Sequence, residues 1–149
     1  MSDYTEKAIQ ILKENDFRIT KQRQMVIKLL DKSKEALSAY EIKEKLDASG
    51  KNVDTVSIYR IIECLEENGL VHRVLSSSKV MKCQLNHEDS CNKLQEHHCH
   101  HLLICQKCSS IQEVHCSGVG SIIKNLETDS KFKIRKHSLE FYGICNNCS

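Results

Sequence analysis

Cys105-x-x-Cys108 and Cys145-x-x-Cys148 are the residues whose spacing most directly specifies chemistry. Two residues between a pair of thiolates let one turn supply two corners of a tetrahedron, and two such turns complete a four-sulfur site. Such a site is closed, so the zinc it would hold is structural and not catalytic. The 36 residues between the pairs exceed the gap of a zinc ribbon, so the fold must bring them together. Unliganded buried cysteines and a redox-active dithiol are the competing readings of the same four residues. Nine cysteines is an odd number, no basic-then-apolar leader follows Met1, and a chain of 149 residues can bury a core without staples. A reducing, cytoplasmic setting and thiolate–metal chemistry are therefore expected, rather than a disulfide framework.

A second constellation is His97-His98-Cys99-His100-His101, followed by Glu113, His115 and Cys116. On an extended segment His98 and His100 face one way and His97, Cys99 and His101 the other, so this run can feed two different sites. A solvated, His-rich linker is the alternative. His72 and Cys83 lie upstream on the two arms of an expected hairpin. A four-residue loop at 76–79 would set His72 directly opposite Cys83, close enough to share an ion; a three-residue loop would put them on opposite faces.

Elements that could position these groups follow from periodicity and caps. Residues 5–14 read as a helix with Ala8, Ile9 and Leu12 on one face. Thr20 can cap a second helix whose apolar set is Met25, Val26, Leu29 and Leu30. Ser38 and Glu41 have capping-box spacing ahead of Ile42 and Leu46. A fourth helix begins near Asp54 and Thr55, buries Ile58, Ile61, Ile62 and Leu65, and stops at Gly69. Segments 70–75 and 80–85 then form a hairpin, so helices followed by a two-stranded wing give a winged helix-turn-helix. The second half reads as two short strands at 102–105 and 111–114 and a helix with Val119, Ile122, Ile123 and Leu126 on one face. A long strand over 132–145 completes it. The expectation is an α+β chain: domain 1–85, a polar linker at 86–96, and a metal-binding α/β domain at 97–149.

No apolar run is long enough to span a bilayer, so no membrane partner is expected. Net charge is +2, spread evenly over both halves, so nucleic-acid binding would need a local cluster. Arg18, Lys21 and Arg23 supply one around a helix N-terminus, an arrangement suited to phosphate. In the fourth helix Thr55, Ser57, Tyr59 and Arg60 lie off the apolar stripe near the end that enters a major groove. Arg60 could read a guanine edge and Tyr59 a thymine methyl or a phosphate.

The chain resembles the ferric uptake regulator family of bacterial metal-responsive repressors along nearly its whole length. The matching stretches are Arg18-Ile19-Thr20-x-Gln22-Arg23, Ile58-Tyr59-Arg60, the His-rich run before Ile104-Cys105-x-x-Cys108, Glu113, and His137-Ser138-Leu139-Glu140-Phe141-Tyr142-Gly143-x-Cys145-x-x-Cys148. The resemblance implies an N-terminal winged helix, a C-terminal α/β dimerisation domain, a homodimer on double-stranded operator DNA, and repression when metal-loaded. It implies no enzyme activity and no organic small-molecule substrate.

Departures from the family pattern select a branch. Iron- and peroxide-sensing members carry a His just before the third helix, where this chain has Glu35-Ala36-Leu37-Ser38. Those members use a carboxylate where this chain has Cys83, and soft sulfur in place of hard oxygen favours Zn²⁺ over Fe²⁺ or Mn²⁺. The resemblance is strongest to the zinc uptake branch, which places ligands at the positions of His72 and Cys83. Carried over, the sensing site is His72, Cys83, a histidine of the run and Glu113, and His98 and His100 have the parity of the family's ligands. The cofactor expectation is one structural and at least one regulatory Zn²⁺ per subunit. Leu102 stands where many relatives have a ligand His, Gly120 where a third site would need a Glu, and Lys21 where Pro is usual. The alternatives are an iron, manganese or peroxide sensor of the same family, or a zinc-dependent enzyme or metal buffer. The enzyme lacks support in any His-Glu-x-x-His or His-x-Glu signature.

Overall fold

Each of the first four helices starts at a side chain chosen for the purpose. Ser2, Thr20, Ser38 and Asp54 have extended backbone and accept the N–H three residues on, from Thr5, Arg23, Glu41 and Ser57. Without such caps the first N–H groups of a helix have no partner. The helices are α1 (Asp3–Glu14), α2 (Lys21–Lys32), α3 (Ala39–Ala48) and α4 (Thr55–Glu67). At α3 the capping box is complete, with the Glu41 carboxylate accepting the Ser38 N–H at 2.7 Å. The computed structural model describes residues 2–84, 100–115, 118–135 and 137–149, with backbone alone for His100 and His115. The chain divides into two units, Met1–Cys83 and Gln84–Ser149.

Within the first unit, the buried faces of the four helices meet in one core. Ala8 and Leu12 of α1 join Val26, Ile27 and Leu30 of α2, Ile42 and Leu46 of α3, and Ile58, Ile61, Ile62 and Leu65 of α4. Thr5 and Ile27 are buried where the sequence pointed to Ile9 and to Met25 and Leu29, which are only partly covered. Each fully buried aliphatic side chain contributes about 1.5–3 kcal/mol, so these positions dominate the stability of the unit. Between α3 and α4 the chain turns through Gly50, whose φ of 71° is left-handed and favours glycine. The α3–turn–α4 arrangement is a helix-turn-helix.

Strands β1 (Val71–Val74) and β2 (Lys79–Lys82) form the wing. Its register differs from the expected one. Val74 pairs with Lys79, so the loop is 75–78, one residue earlier than 76–79, with Ser78 in the left-handed region. His72 therefore stands opposite Met81, not Cys83. Cys83 continues the ladder one step past β2, donating its N–H to the Leu70 carbonyl at 2.9 Å. Two further contacts hold the wing: Leu37 and Val80 exchange both backbone hydrogen bonds at 2.8 Å, and Arg73 pairs with Glu66 of α4 at 3.0 Å.

The carboxylate of Asp31 is the polar joint between α1, α2 and β2. It accepts from Lys82 Nζ at 2.9 Å and from the Thr5 hydroxyl at 2.7 Å. Burial pushes its pKa up, but the hydrogen bonds of Lys82 and Thr5 and the ammonium charge outweigh that and hold it below the ordinary carboxylate value. A carboxyl depressed in the folded state stabilises the fold above its unfolded value and loses that contribution as pH falls through the lowered one. Asp31→Asn should therefore lower Tm at neutral pH by about 5 °C. The gap to wild type should close on acidification, as thermal melts across a pH series would show.

Among its described residues, the second unit is a small sheet with one helix. Strands β3 (His100–Cys105), β4 (Ile111–His115) and β5 (Glu140–Gly143) lie in the order β4-β3-β5, and α5 (Val119–Ser130) falls between the last two in sequence. β3 is antiparallel to β4 and parallel to β5, and a parallel return requires a crossover of the kind that α5 supplies. The expected long strand over 132–145 is strand only at Glu140–Gly143. Ahead of it Lys131 turns left-handed and the Ile134 N–H bonds the Glu127 carboxylate at 2.7 Å, which diverts that stretch from the sheet.

The apolar face of α5 is only partly buried. Ile123 is buried, but Ile122 is 57% and Leu126 53% exposed within one chain. The buried set described in this unit is short: His101, Leu102, Cys105, Glu113 and Ile123. The segment 86–96 and the residues His97, His98 and Cys99 lie outside the described residues.

Candidate metal centres and nucleic-acid interface

The four cysteines come together because β3 and β5 run side by side. In the parallel register Cys105 pairs with Gly143, so both strands end at the same edge and each feeds a Cys-x-x-Cys turn. Gln106 donates its N–H to the Gly143 carbonyl at 2.8 Å, locking the first turn to the second strand. A ligand sulfur from each of Cys105, Cys108, Cys145 and Cys148 lies within 4.8 Å of the others. The Cys108 and Cys145 sulfurs are 3.7 Å apart. Tetrahedral zinc with bonds of about 2.3 Å sets sulfurs about 3.8 Å apart, so the residues present fit that ion.

The surroundings of two of the sulfurs favour thiolate. Backbone N–H groups of Cys108 and Cys145 aim at Cys105 and bring its thiol down to about 6; the Cys145 N–H lies 3.3 Å from that sulfur. The Ser110 hydroxyl, 3.1 Å from Cys108 Sγ, lowers that thiol as well. Crowded by Cys145 and Cys108, Cys148 is pushed up to about 12. Four negative sulfurs cannot gather unaided; a divalent cation removes the conflict.

His72 and Cys83 form a second pair within the first unit. Although Met81 intervenes in the register, Cys83 is two residues past Met81 and so lies on the same face of the wing as His72, diagonally across it. A ring nitrogen of His72 and the Cys83 sulfur lie within 4.8 Å of each other, and Cys83 is buried. Glu113 sits in β4 opposite Leu102, is only 7% exposed, and accepts the Gln84 N–H at 2.8 Å through Oε2. A carboxylate this covered suits a cation better than solvent. The backbone of His100 pairs with that of His115 at the start of β3.

One pairing was not anticipated. His101 is 2% exposed and its ring centroid lies 5.3 Å from that of His137. Burial and the neighbouring His137 hold its pKa below the ordinary imidazole value. The alternation of the histidine run already set His101 apart from His98 and His100, but nothing local pointed to His137.

On the nucleic-acid side, Arg18 and Lys21 are exposed beside the α2 N-terminus. Arg23 is less free: its guanidinium donates to the Arg18 carbonyl and lies 5.6 Å from the centre of the Phe17 ring. In α4, Tyr59 and Arg60 are exposed and Thr55 is half-buried. Ser57 is committed to the cap, with both its N–H and its hydroxyl bonded to Asp54, at 3.1 Å and 2.5 Å.

The sequence model of the ferric uptake regulator family matches residues 14–142. The chain is 28% identical to the zinc uptake regulation protein of Escherichia coli (strain K12) over 95% of this chain and 79% of that one. It is 27% identical to the ferric uptake regulation protein of Bacillus subtilis (strain 168), over 93% of this chain and 89% of that one. Among solved structures, a zinc uptake regulator complexed with zinc and DNA superposes with a TM-score of 0.82. The two are 28% identical, over 99% of this chain and 96% of that one.

Proposed function

The chain belongs to the ferric uptake regulator family of metal-responsive DNA-binding regulators, and from that premise we propose that it is a zinc-responsive repressor of metal-uptake genes. It works in the cytoplasm and binds operator DNA as a homodimer when loaded with zinc. Members of this family are transcription regulators, not enzymes, and bind operators as dimers. The chain's winged helix-turn-helix and its open α5 face suit both activities. No described helix is long and apolar enough to cross a membrane.

The observation that carries the zinc assignment is Cys83 beside His72. A thiolate and an imidazole select Zn²⁺, whereas the iron- and manganese-sensing pattern has a carboxylate at the cysteine position. In this reading the regulatory ligands are His72, Cys83, Glu113 and a histidine of the run, His98 or His100. Zinc bound there supplies a cross-link of fixed geometry and no redox chemistry. Cys105, Cys108, Cys145 and Cys148 hold a second, structural zinc. His72 and Cys83 belong to the wing, which Arg73 ties to α4, so holding that pair steady steadies the helix that enters the groove. Effector occupancy shifts DNA binding only as far as it favours the DNA-competent arrangement. Arg18, Lys21, Arg23, Thr55, Ser57, Tyr59 and Arg60 make up the proposed DNA face. Arg23 and Ser57 act there in large part through their internal contacts.

A gel shift with graded Zn²⁺, Fe²⁺ and Mn²⁺ tests the assignment, using a duplex selected from a random library by the zinc-loaded protein. Zinc should support binding at concentrations at least about 100-fold below the other two. An equal response to all three would return the protein to the iron or manganese sensors. Oxidised histidine after Fe²⁺ and peroxide would mark a peroxide sensor.

A further inference from the structure

We propose that Val56 reads the C5-methyl group of a thymine in the operator and so sets part of its sequence specificity. The inference rests on the duplex-binding role of α4 and adds to it a residue outside the polar set.

Opposite its buried stripe, α4 presents Val56, Tyr59, Arg60 and Glu63, spaced i, i+3, i+4 and i+7, and all four are exposed. Val56 is 60% and Tyr59 43% exposed, so the face that looks away from the core opens with an apolar ridge. Folding gives no reason for it. A β-branched side chain on an open helix position contributes little burial and is a weaker helix former than Ala or Lys. Ser57 is held by Asp54, which leaves Thr55, Val56, Tyr59 and Arg60 as the first-turn and second-turn groups able to reach base edges. Glu63 turns the stripe acidic and repels phosphate, so the part that enters a groove ends at Arg60. Valine has neither donor nor acceptor. The feature of a major-groove edge that it can recognise is the thymine methyl. Side chains four apart on a helix are about 5–6 Å apart, which places that thymine within about two base pairs of a guanine taken by Arg60.

The test uses the full-length zinc-loaded protein and the duplex it selects. Each thymine is replaced singly by uracil, which removes one methyl and leaves the pairing edge unchanged. One position per half-site should weaken wild type about fourfold, the effect of one covered methyl group. Val56→Ala removes the contact from both half-sites, so it should lose about 16-fold, the square of that factor, on the unmodified duplex and be insensitive to uracil at that position alone. Its melting should match wild type because the side chain is exposed. If Val56→Ala binds undiminished, or if its loss multiplies with every uracil loss independently, the inference fails while duplex binding stands. If the zinc-loaded wild type selects no duplex at all, the repressor reading fails with it.

Discussion

Replacing the Cys83 sulfur with oxygen, in Cys83→Ser, should raise the zinc needed for half-maximal operator binding by on the order of 100-fold or more. The protein should remain folded and dimeric. Serine is nearly the same size, so the wing keeps its ladder and the Cys83-to-Leu70 hydrogen bond, which the backbone makes, survives. What is lost is the soft anionic ligand beside His72. A neutral hydroxyl binds Zn²⁺ far more weakly and no longer discriminates it from Fe²⁺ or Mn²⁺. Selectivity should therefore fall together with affinity. Gel shifts with the three metals, beside unchanged sedimentation and melting, would read out both. A variant that binds operator at the same zinc concentration as wild type would remove Cys83 from the sensing site.

Cys105→Ser should act on the fold itself. The second unit has few buried side chains among its described residues, chiefly Leu102, Ile123, His101, Glu113 and Cys105 itself. A core so thin needs a staple. Structural zinc is worth about 10–16 kcal/mol in small domains, as much as the whole stability of a typical protein. With one sulfur gone, bound zinc should drop by one per subunit. The cooperative melting of Gln84–Ser149 should disappear, and the protein should sediment as a monomer. The winged helix should keep its own transition, because its core of Leu12, Val26, Ile27, Ile42, Ile58 and Leu65 draws on residues of the first unit alone. Calorimetry would resolve the two transitions. Loss of both together would show that the units depend on each other.

The two substitutions separate the two sulfur sites by what fails. At Cys83 sensing should fail with the fold intact; at Cys105 the fold of one unit should fail and DNA binding with it.

Local chemistry was legible without coordinates where its cause was local. Ser38 and Glu41 announce a helix start because the two hydrogen bonds they exchange span three residues. The spacing of Ile58, Ile61, Ile62 and Leu65 announces a buried helix face. The Cys-x-x-Cys turns announce themselves because each is closed within one turn. Longer-range features were read less well. The 132–145 stretch has strand-like composition, yet the Glu127 carboxylate captures the Ile134 N–H and only Glu140–Gly143 joins the sheet. The spacing of Val119, Ile122, Ile123 and Leu126 marks α5 and its apolar face, but within one chain Ile122 and Leu126 stay exposed, because apolar spacing does not say what does the covering.

The kinds of ligand, their pairing into turns, and the helices that flank them were thus determined by neighbours in sequence, since each depends on hydrogen bonds or spacings a few residues long. Which ligands meet was decided by the tertiary structure. The parallel register of Cys105 with Gly143 closes the four-sulfur site across 36 residues. A loop at 75–78, pinned by the Leu37–Val80 bridge and the Cys83-to-Leu70 bond, moves His72 from facing Cys83 to lying diagonal to it. Strand register is a competition between whole ladders differing by one or two residues, and the contacts that settle it come from distant parts of the chain.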